Sequence, residues 1–345
     1  MRRLGSAALV LALVAGIGGA AALSSTGSTC AQRQAAESAY AHGIAKARAA
    51  YFAKHRSPSA RKAFVAAQKA KLAALKSAAA CSATTTTTDL GTVPAPAPTA
   101  NERFVFSDEL SQAFRDDIQG FVTFAVQDEE KLLGVSLDQL TVYVSTDAGW
   151  LAQQQCSVLP QDGDCVSSVR ASFAGGNPTA EGPHVIFVNC ATTDLTTRAP
   201  EYERQKIVGH SVGNVFRYQL DGRRDDVGPL WLLFGAPELL GYHVASDRNL
   251  RAYADSLADM RQNMRVLATP LEKLQTWADY NLVGHWYLAG AVDRLVTDAP
   301  NGIRSLADYW AGIGTGMSWE DAFAAAFGMT VDQFYADFAA YKAGL

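Results

Sequence analysis

The chain has 345 residues, 48% of them hydrophobic, and a formal net charge of −4 at pH 7. This length and composition allow a substantial core and exclude a disordered chain. The charges are segregated, because residues 31–80 hold ten Lys and Arg against Glu37 alone, while residues 102–345 hold 18 basic and 32 acidic side chains. We therefore expect two oppositely charged regions that attract each other.

The N-terminus has the composition of an export signal. The opening residues, MRRLGSAALVLALVAGIGGAAALSS, combine two arginines, an apolar run and a small-residue cleavage pattern at residues 20–22. This pattern predicts a signal peptide and a short spacer over residues 1–29. The apolar run over residues 4–23 is also about long enough to span a bilayer, so an uncleaved membrane anchor is the alternative. Both interpretations predict an extracellular or cell-envelope protein.

Five cysteines without a C-x-x-C pair indicate disulfides in an exported chain. Cys30 and Cys81 bracket a separate segment, and we expect them to pair with each other. Cys156 and Cys165 flank the turn-forming stretch SVLPQDGD and are expected to form a second bond. Cys190 is then a free thiol, although three cysteines in one domain allow three pairings.

Residues 30–81 are basic and have apolar residues at helical spacing, interrupted once by HRSPSA. The pattern predicts an αα-hairpin whose open end is closed by the Cys30–Cys81 bond. Its basic surface suits an anionic membrane or cell-wall polymer, with no specific nucleic-acid partner. The alternative is a solvated spacer or a hairpin docked on the acidic domain.

Residues 82–101 form a linker in this interpretation, because their threonine run and Pro-Ala alternation favour extended, solvated backbone. Residues 102–345 then form one α+β domain. Strands are predicted for RFVFS, QLTVYVS, SVRASF and HVIFVN, and a helix for residues 108–131. From Arg198 onward only helical patterns occur. They include the capping-box spellings SWED and TVDQ and a C-cap at Gly328.

The stretch IVGHSVGNVF, residues 207–216, has two interpretations. As G-x-S-x-G it spells the nucleophile elbow of a serine hydrolase, with Ser211 as the nucleophile. An elbow requires a buried strand before the serine, but the preceding EYERQKIVG is densely charged and suits a helix. Candidate partners for a triad, which are Asp225 or Asp247 with His243 or His285, all lie in helical sequence.

The second interpretation aligns the stretch with the zinc-binding helix H-E-x-x-H. It gains weight from PLWLLFGAPELLGYH, residues 229–243, which matches a W-L-x-E-G-x-A-E-Y-like phrase at several positions. The C-terminal GMSWEDAFAAAFG also matches a phrase, G-x-S-x-x-x-A-F-x-x-x-F-G, that recurs in the same family. On these residues the chain resembles the peptidase MA-like, gluzincin-type zinc metallopeptidases over about residues 103–345. The resemblance implies a zincin-like domain of a small mixed sheet and a mostly helical C-terminal half.

The resemblance also implies a lost catalytic centre. The first histidine ligand is kept as His210, but the catalytic glutamate position holds Ser211 and the second histidine position holds Asn214. The glutamate ligand position holds Phe234, which cannot coordinate and would fill the metal cavity with apolar bulk. Asn214 offers only an amide oxygen. We therefore expect no catalytic residues, no metal and no cofactor, with Glu238 as an orienting or capping acid.

An alternative metal centre could assemble from Glu238, His243 and His285, although it would have to form around Phe234. Zincin-like folds hold peptide along an edge strand beside the active-site helix, and the strands predicted for SVRASF and HVIFVN would offer such an edge as a binding surface. The first hypothesis is therefore an exported pseudopeptidase that binds peptide or protein. The alternatives are a hydrolase, through Ser211 or a rearranged metal centre, and a structural envelope protein without a ligand.

Overall fold

The chain divides into two compact units, residues 1–89 and residues 90–345. A computed structural model describes six positions between residues 61 and 71 and residues 92–345, except 162, 197, 223–226, 275–276 and the side chains of 277–282. The six positions of the first unit are helical. The predicted signal, the Cys30–Cys81 bond and the rest of the hairpin lie outside the described residues. Within the described ranges, no helix is long and apolar enough to cross a membrane.

The second unit is an α+β domain with one mixed sheet, as the sequence predicts. Its strands are β1 (Glu102–Phe106), β2 (Leu140–Ser145), β3 (Thr179–Gly182) and β4 (Val185–Asn189), in the spatial order β1-β2-β4-β3. β1, β2 and β4 are parallel, whereas β3 runs antiparallel to β4 at an edge of the sheet. All five residues of β4 are buried. This burial explains its continuous apolar sequence.

Helices make up most of the remaining described residues. They are α1 (Gln112–Leu133), α2 (Ala148–Val158), α3 (Cys165–Ala174), α4 (Glu201–Asp221), α5 (Leu230–Asp247), α6 (Tyr253–Val266), α7 (Trp277–Asp298), α8 (Ser305–Gly314), α9 (Trp319–Phe327) and α10 (Val331–Gly344). Short 3₁₀ turns occur at Leu271–Lys273 and Gly302–Arg304. After Arg198 the described residues contain no strand, in agreement with the sequence prediction.

Helix α5 lies at the centre of the helical half, where it packs against both α4 and α7. Twelve of its 18 residues are buried. A helix that is apolar on all sides is stable only in a core, because exposing any face would bring apolar surface into water. The packing of α4 and α7 against α5 brings together side chains from three helices.

The strand predicted for SVRASF is wrong, because these residues lie in α3. Asp164 caps this helix by accepting the backbone N–H of Ser167 at 3.1 Å. Val169 and Phe173 are both buried. Their spacing of four residues places them on one helical face, which the alternating apolar pattern obscured. The edge strand β3 was not predicted, since TAEG is short and polar and lies between glycine and proline residues.

The predicted local caps are present in the C-terminal helices. Thr330 and Gln333 form a reciprocal capping box at the start of α10. Ser318 accepts the backbone N–H of Asp321 at 3.1 Å and so caps α9. Gly328 ends α9 in the left-handed conformation, with φ of 71°. These contacts explain why the tail folds as short helices with sharp ends.

Cys156 and Cys165 form the predicted disulfide, and Cys190 is a free, buried thiol. The bond joins the end of α2 to the start of α3. Burial raises the pKa of Cys190 to about 12, so the thiolate that nucleophilic chemistry requires is scarce at neutral pH.

The end of the predicted linker packs on the domain. Val93 donates its backbone N–H to the carbonyl of Arg248 at 3.2 Å, and Val93 contacts the apolar core. Residues 92–99 have no regular secondary structure, as their composition predicts. The compact unit therefore begins before residue 102, and the last residues of the linker segment belong to it.

Candidate functional site: the Glu238 cluster

The GHSVG stretch lies inside one continuous helix. Helix α4 extends over Glu201–Asp221, as the zincin-like interpretation requires, without the strand and tight turn of a nucleophile elbow. Ser211 is fully buried, and its hydroxyl donates to the carbonyl of Ile207 at 3.2 Å. A hydroxyl in this position satisfies the backbone of its own helix. It is not presented to a substrate.

The two glycines of the stretch are explained by helix packing. A Cβ on Gly209 would lie 3.0 Å from the Cα of Gly241 on α5. A Cβ on Gly213 would lie 3.0 Å from Leu240 and 3.3 Å from the Cα of Pro237. Small residues allow α4 and α5 to approach closely, and a side chain at either position would force the backbones apart. The G-x-S-x-G spelling therefore has a structural cause in this chain.

This close packing positions a cluster of ionisable side chains around the buried Glu238, which we name the Glu238 cluster (Glu238, His210, His285 and Lys206). The imidazole Nδ1 of His210 lies 2.9 Å from Oε2 of Glu238. The Nδ1 of His285, from α7, lies 3.3 Å from the same oxygen. The ammonium of Lys206 lies 3.3 Å from Oε1. One carboxylate on α5 is thus surrounded by three nitrogen-bearing side chains from α4 and α7.

The electrostatics of the cluster favour an ionised Glu238. Its side chain is only 4% exposed, and burial alone would raise its pKa. The charge of Lys206 and the hydrogen bonds from the two histidines reverse this effect and hold the pKa of Glu238 well below its usual range. Burial would lower the pKa of Lys206, but Glu238 and Glu203 raise it above its ordinary value. Each partner therefore stabilises the charged form of the other.

Aromatic side chains surround the cations near the cluster. Tyr242 stacks on Trp286 with ring centroids 4.5 Å apart, and the ammonium of Lys206 lies 5.3 Å from the Tyr242 ring. Arg251 lies over the rings of Tyr202 and Trp286 and donates to the Tyr202 hydroxyl at 2.9 Å. Such contacts hold cationic side chains in fixed positions through cation–π attraction.

Apart from His285, the other candidate residues predicted from sequence lie outside the Glu238 cluster. His243 stacks on Tyr253 with centroids 4.2 Å apart and does not join the cluster. Asn214 is buried within α4, and Phe234 is half-buried against the apolar core. His285, in contrast, does reach Glu238. Lys206 was not predicted as a site residue, although it precedes His210 by four residues and therefore shares its helical face.

The donor set of the cluster does not fit a divalent metal. Among the residues that the structure describes, no group of three or more His, Cys, Asp or Glu side chains could hold a metal ion. Glu238 instead contacts the Lys206 ammonium through one oxygen and two imidazoles through the other. The Lys206 ammonium therefore already pairs with the carboxylate that a metal ion would need, and its positive charge would repel that ion.

The edge strand β3 packs against α4, the helix that carries His210 and Lys206 of the cluster. Asn189 donates its N–H to the carbonyl of Pro178 at 2.8 Å, and the antiparallel register pairs Ala180 with Phe187. Along an antiparallel strand, residues whose backbone groups bond to the neighbouring strand alternate with residues whose backbone groups point away from it. The N–H and C=O groups of Thr179 and Glu181 therefore face away from β4.

A second buried acid lies where α1 meets α4. Glu129 is fully buried, and neither of its carboxyl oxygens has a hydrogen-bond partner among the residues that the structure describes. Its Oε2 lies 3.4 Å from the position that a Cβ on Gly213 would take. Burial, and secondarily the charge of Asp128, raises the pKa of Glu129 well above its usual value. Burial and the neighbouring Asp247 raise the pKa of Asp128 to about 7.

The variant Glu129→Gln is expected to be more stable than the wild-type protein at pH 7 and to lose this advantage near pH 4. The unfolded carboxyl titrates near about 4.3. Above that pH the unfolded state releases a proton that folded Glu129 retains, so wild-type stability falls by up to about 1.4 kcal/mol per pH unit from this group. Urea unfolding of both proteins from pH 4 to pH 7 measures the difference. Parallel pH profiles would contradict the assignment.

Comparison of the chain with protein-family models, with curated proteins and with solved structures gave no match.

Proposed function

We propose that residues 102–345 form a zincin-like domain without a catalytic centre, in an exported protein that binds a peptide or protein. The sequence phrases around His210 and Glu238 support the family resemblance. The mixed sheet supports it as well, because its antiparallel edge strand β3 lies beside α4, where zincin-like folds hold peptide. The Cys156–Cys165 bond agrees with an oxidising, extracellular or envelope compartment.

The observation that carries the proposal is the engagement of Glu238 by Lys206 and two histidines. Histidine metal ligands commonly donate their second ring nitrogen to a carboxylate, and His210 has such a partner in Glu238. The chain therefore keeps an orienting carboxylate of the kind found around metal centres. The ion pair with Lys206 occupies the same carboxylate, and the position that would hold the catalytic glutamate of the resembled family holds the buried Ser211.

Peptide binding is proposed at the outer edge of β3. An exposed strand edge offers unpaired N–H and C=O groups, and an extended peptide can add to it as a further strand. Thr179 and Glu181 present these groups in the register described above. The basic hairpin of residues 30–81 would add attachment to an anionic membrane or cell wall.

Two measurements test the loss of catalysis. After incubation with one equivalent of zinc and dialysis, we expect the purified protein to retain no stoichiometric metal. A fluorophosphonate probe is expected to give no labelling that depends on Ser211, with Ser211→Ala as the matched control. Stoichiometric zinc would favour the rearranged metal centre, and Ser211-dependent labelling would favour the serine hydrolase.

A phage library of random linear peptides tests the binding edge. The tightest enriched peptide would be synthesised and its Kd measured for three proteins: wild-type, Glu181→Ala and Glu181→Pro. Both variants remove the same side chain, but only proline removes the outward N–H. We expect Glu181→Pro to weaken binding at least about tenfold relative to Glu181→Ala, because a strand added at β3 needs that donor. Equal Kd values, or a library that yields no binder, would contradict binding at β3.

A further inference from the structure

A separate cavity lies between α6, α7, α10 and the 3₁₀ turn at Leu271–Lys273. Its volume is about 600 Å³, within the usual range of small-molecule pockets. The buried side chains of Leu271, Tyr287 and Phe338 form its apolar walls. Tyr287 and Phe338 meet edge to face, with ring centroids 5.9 Å apart. None of these residues belongs to the Glu238 cluster or to β3.

The cavity contains a cation with weak internal partners. The Lys342 ammonium lines the cavity and reaches the Thr269 carbonyl at 3.4 Å and the Tyr287 hydroxyl at 3.5 Å. Both distances are long for hydrogen bonds from an ammonium group. No carboxylate of the described residues lies within ion-pair distance of it. The ammonium also lies 5.0 Å from the centroid of the Tyr287 ring, and desolvation lowers the pKa of Lys342.

The remaining charges of the cavity lie at its rim. Arg265 and Glu272 both line the cavity and are exposed to solvent. Arg265 donates through Nε to the carbonyl of Leu345 at 2.6 Å. The charge of Glu272 acts on the cavity walls secondarily, since it adds to burial in raising the pKa of Tyr287 and that of Tyr335. The Lys342 ammonium lies 3.5 Å from the Tyr287 hydroxyl, so an anionic group placed against these walls could pair with it.

We propose that this cavity binds an amphipathic carboxylate, with the carboxylate group on the Lys342 ammonium and the apolar body against Leu271, Tyr287 and Phe338. Charge complementarity selects the anionic head, since a cationic head would face Lys342. The apolar walls select an alkyl or aryl body over a sugar or a nucleotide, because they offer few hydrogen-bond partners for polar groups. This binding is independent of the proposed peptide edge.

Titration calorimetry with dodecanoate below its micelle concentration tests the proposal on the full chain. We expect saturable binding of one dodecanoate per chain, and an at least tenfold weaker Kd for Lys342→Met, which keeps the length of the side chain and removes its charge. Lys273→Met is the matched control, since Lys273 lies on the 3₁₀ turn but does not line the cavity. Its Kd is expected to remain within twofold of the wild-type value.

The apolar part of the site has its own test. Ala339 also lines the cavity, so Ala339→Phe is expected to fill part of it and to weaken dodecanoate binding at least tenfold. Dodecyltrimethylammonium has the same chain length and the opposite charge, and it should bind at least tenfold more weakly than dodecanoate. Absence of saturable binding, equal binding of the two detergents, or an unchanged Kd for Lys342→Met would overturn the proposal.

Discussion

Replacing Glu238 with glutamine is expected to lower the free energy of unfolding by about 3 to 5 kcal/mol at pH 7, the usual effect of breaking a buried ion pair from one side. The substitution keeps the shape of the side chain but leaves the ammonium of Lys206 buried opposite a neutral amide. The side chain of Lys206 is only 14% exposed, so water cannot replace the lost partner without a local rearrangement. Urea denaturation at pH 7 measures the loss.

Glu203→Gln is the matched control for this experiment. Glu203 also contacts Lys206 at 3.3 Å, but its side chain is 35% exposed. Solvent-accessible ion pairs contribute about 0 to 1 kcal/mol, so the control variant should lose no more than that. If the two variants were equally destabilised, the Lys206–Glu238 pair would not be the central contact of the cluster.

A double-mutant cycle measures the interaction between Lys206 and Glu238 separately from their contacts with other residues. Lys206→Met removes the cation and keeps an unbranched apolar side chain of similar length. In this background, Glu238→Gln should cost at least about 1 kcal/mol less than in the wild-type protein, because neighbouring charges in one network are coupled. Additive losses would show that Lys206 and Glu238 act independently.

Replacing Gly241 with alanine is expected to destabilise the domain by at least about 2 kcal/mol, through overpacking of a tight helix contact. A Cβ at this position would lie 2.4 Å from the carbonyl oxygen of Lys206 and 3.1 Å from the backbone N of His210. These atoms are backbone, so α4 and α5 must separate. The higher helix propensity of alanine offsets only about 1 kcal/mol of this cost. Thermal or urea unfolding measures the net effect.

Gly290→Ala tests whether the destabilisation by Gly241→Ala depends on the contact with rigid backbone atoms. Gly290 is also buried against a neighbouring helix, and a Cβ there would lie 3.0 and 3.1 Å from the Cε and Sδ atoms of Met264 and 3.2 Å from the Cβ of Met260. A flexible thioether can move aside, so this variant should change stability by less than about 1 kcal/mol. A Gly241→Ala protein as stable as Gly290→Ala would show that α4 and α5 separate at little cost.

These two experiments also bear on the proposed function. The glycine contact holds α4 against α5, and it thereby places His210 and Lys206 next to Glu238. The cation of Lys206 then stabilises the buried carboxylate of Glu238. A stable ion pair at this position agrees with a domain that binds without hydrolysing.

Local sequence determined many elements of this protein. The capping residues, the parallel strands β1, β2 and β4, the helix over the GHSVG stretch and the Cys156–Cys165 bond all depend on residues close to one another in the chain. Their signals are short-range, because caps, turns and periodic apolar faces act within a few positions. The same short-range patterns misassigned SVRASF, since its apolar alternation suits a strand as well as it suits the spaced contacts of α3.

The tertiary structure alone decided the content of the candidate site. Sequence identified His210 and Glu238 as separate positions, but their contact spans 28 residues and depends on the packing of α4 on α5. The arrival of His285 from α7 and the pairing of Lys206 with Glu238 depend on the same close approach. Side chains far apart in sequence meet only through the fold, and the burial of Glu238 and Lys206 removes water and so strengthens the attraction between their charges.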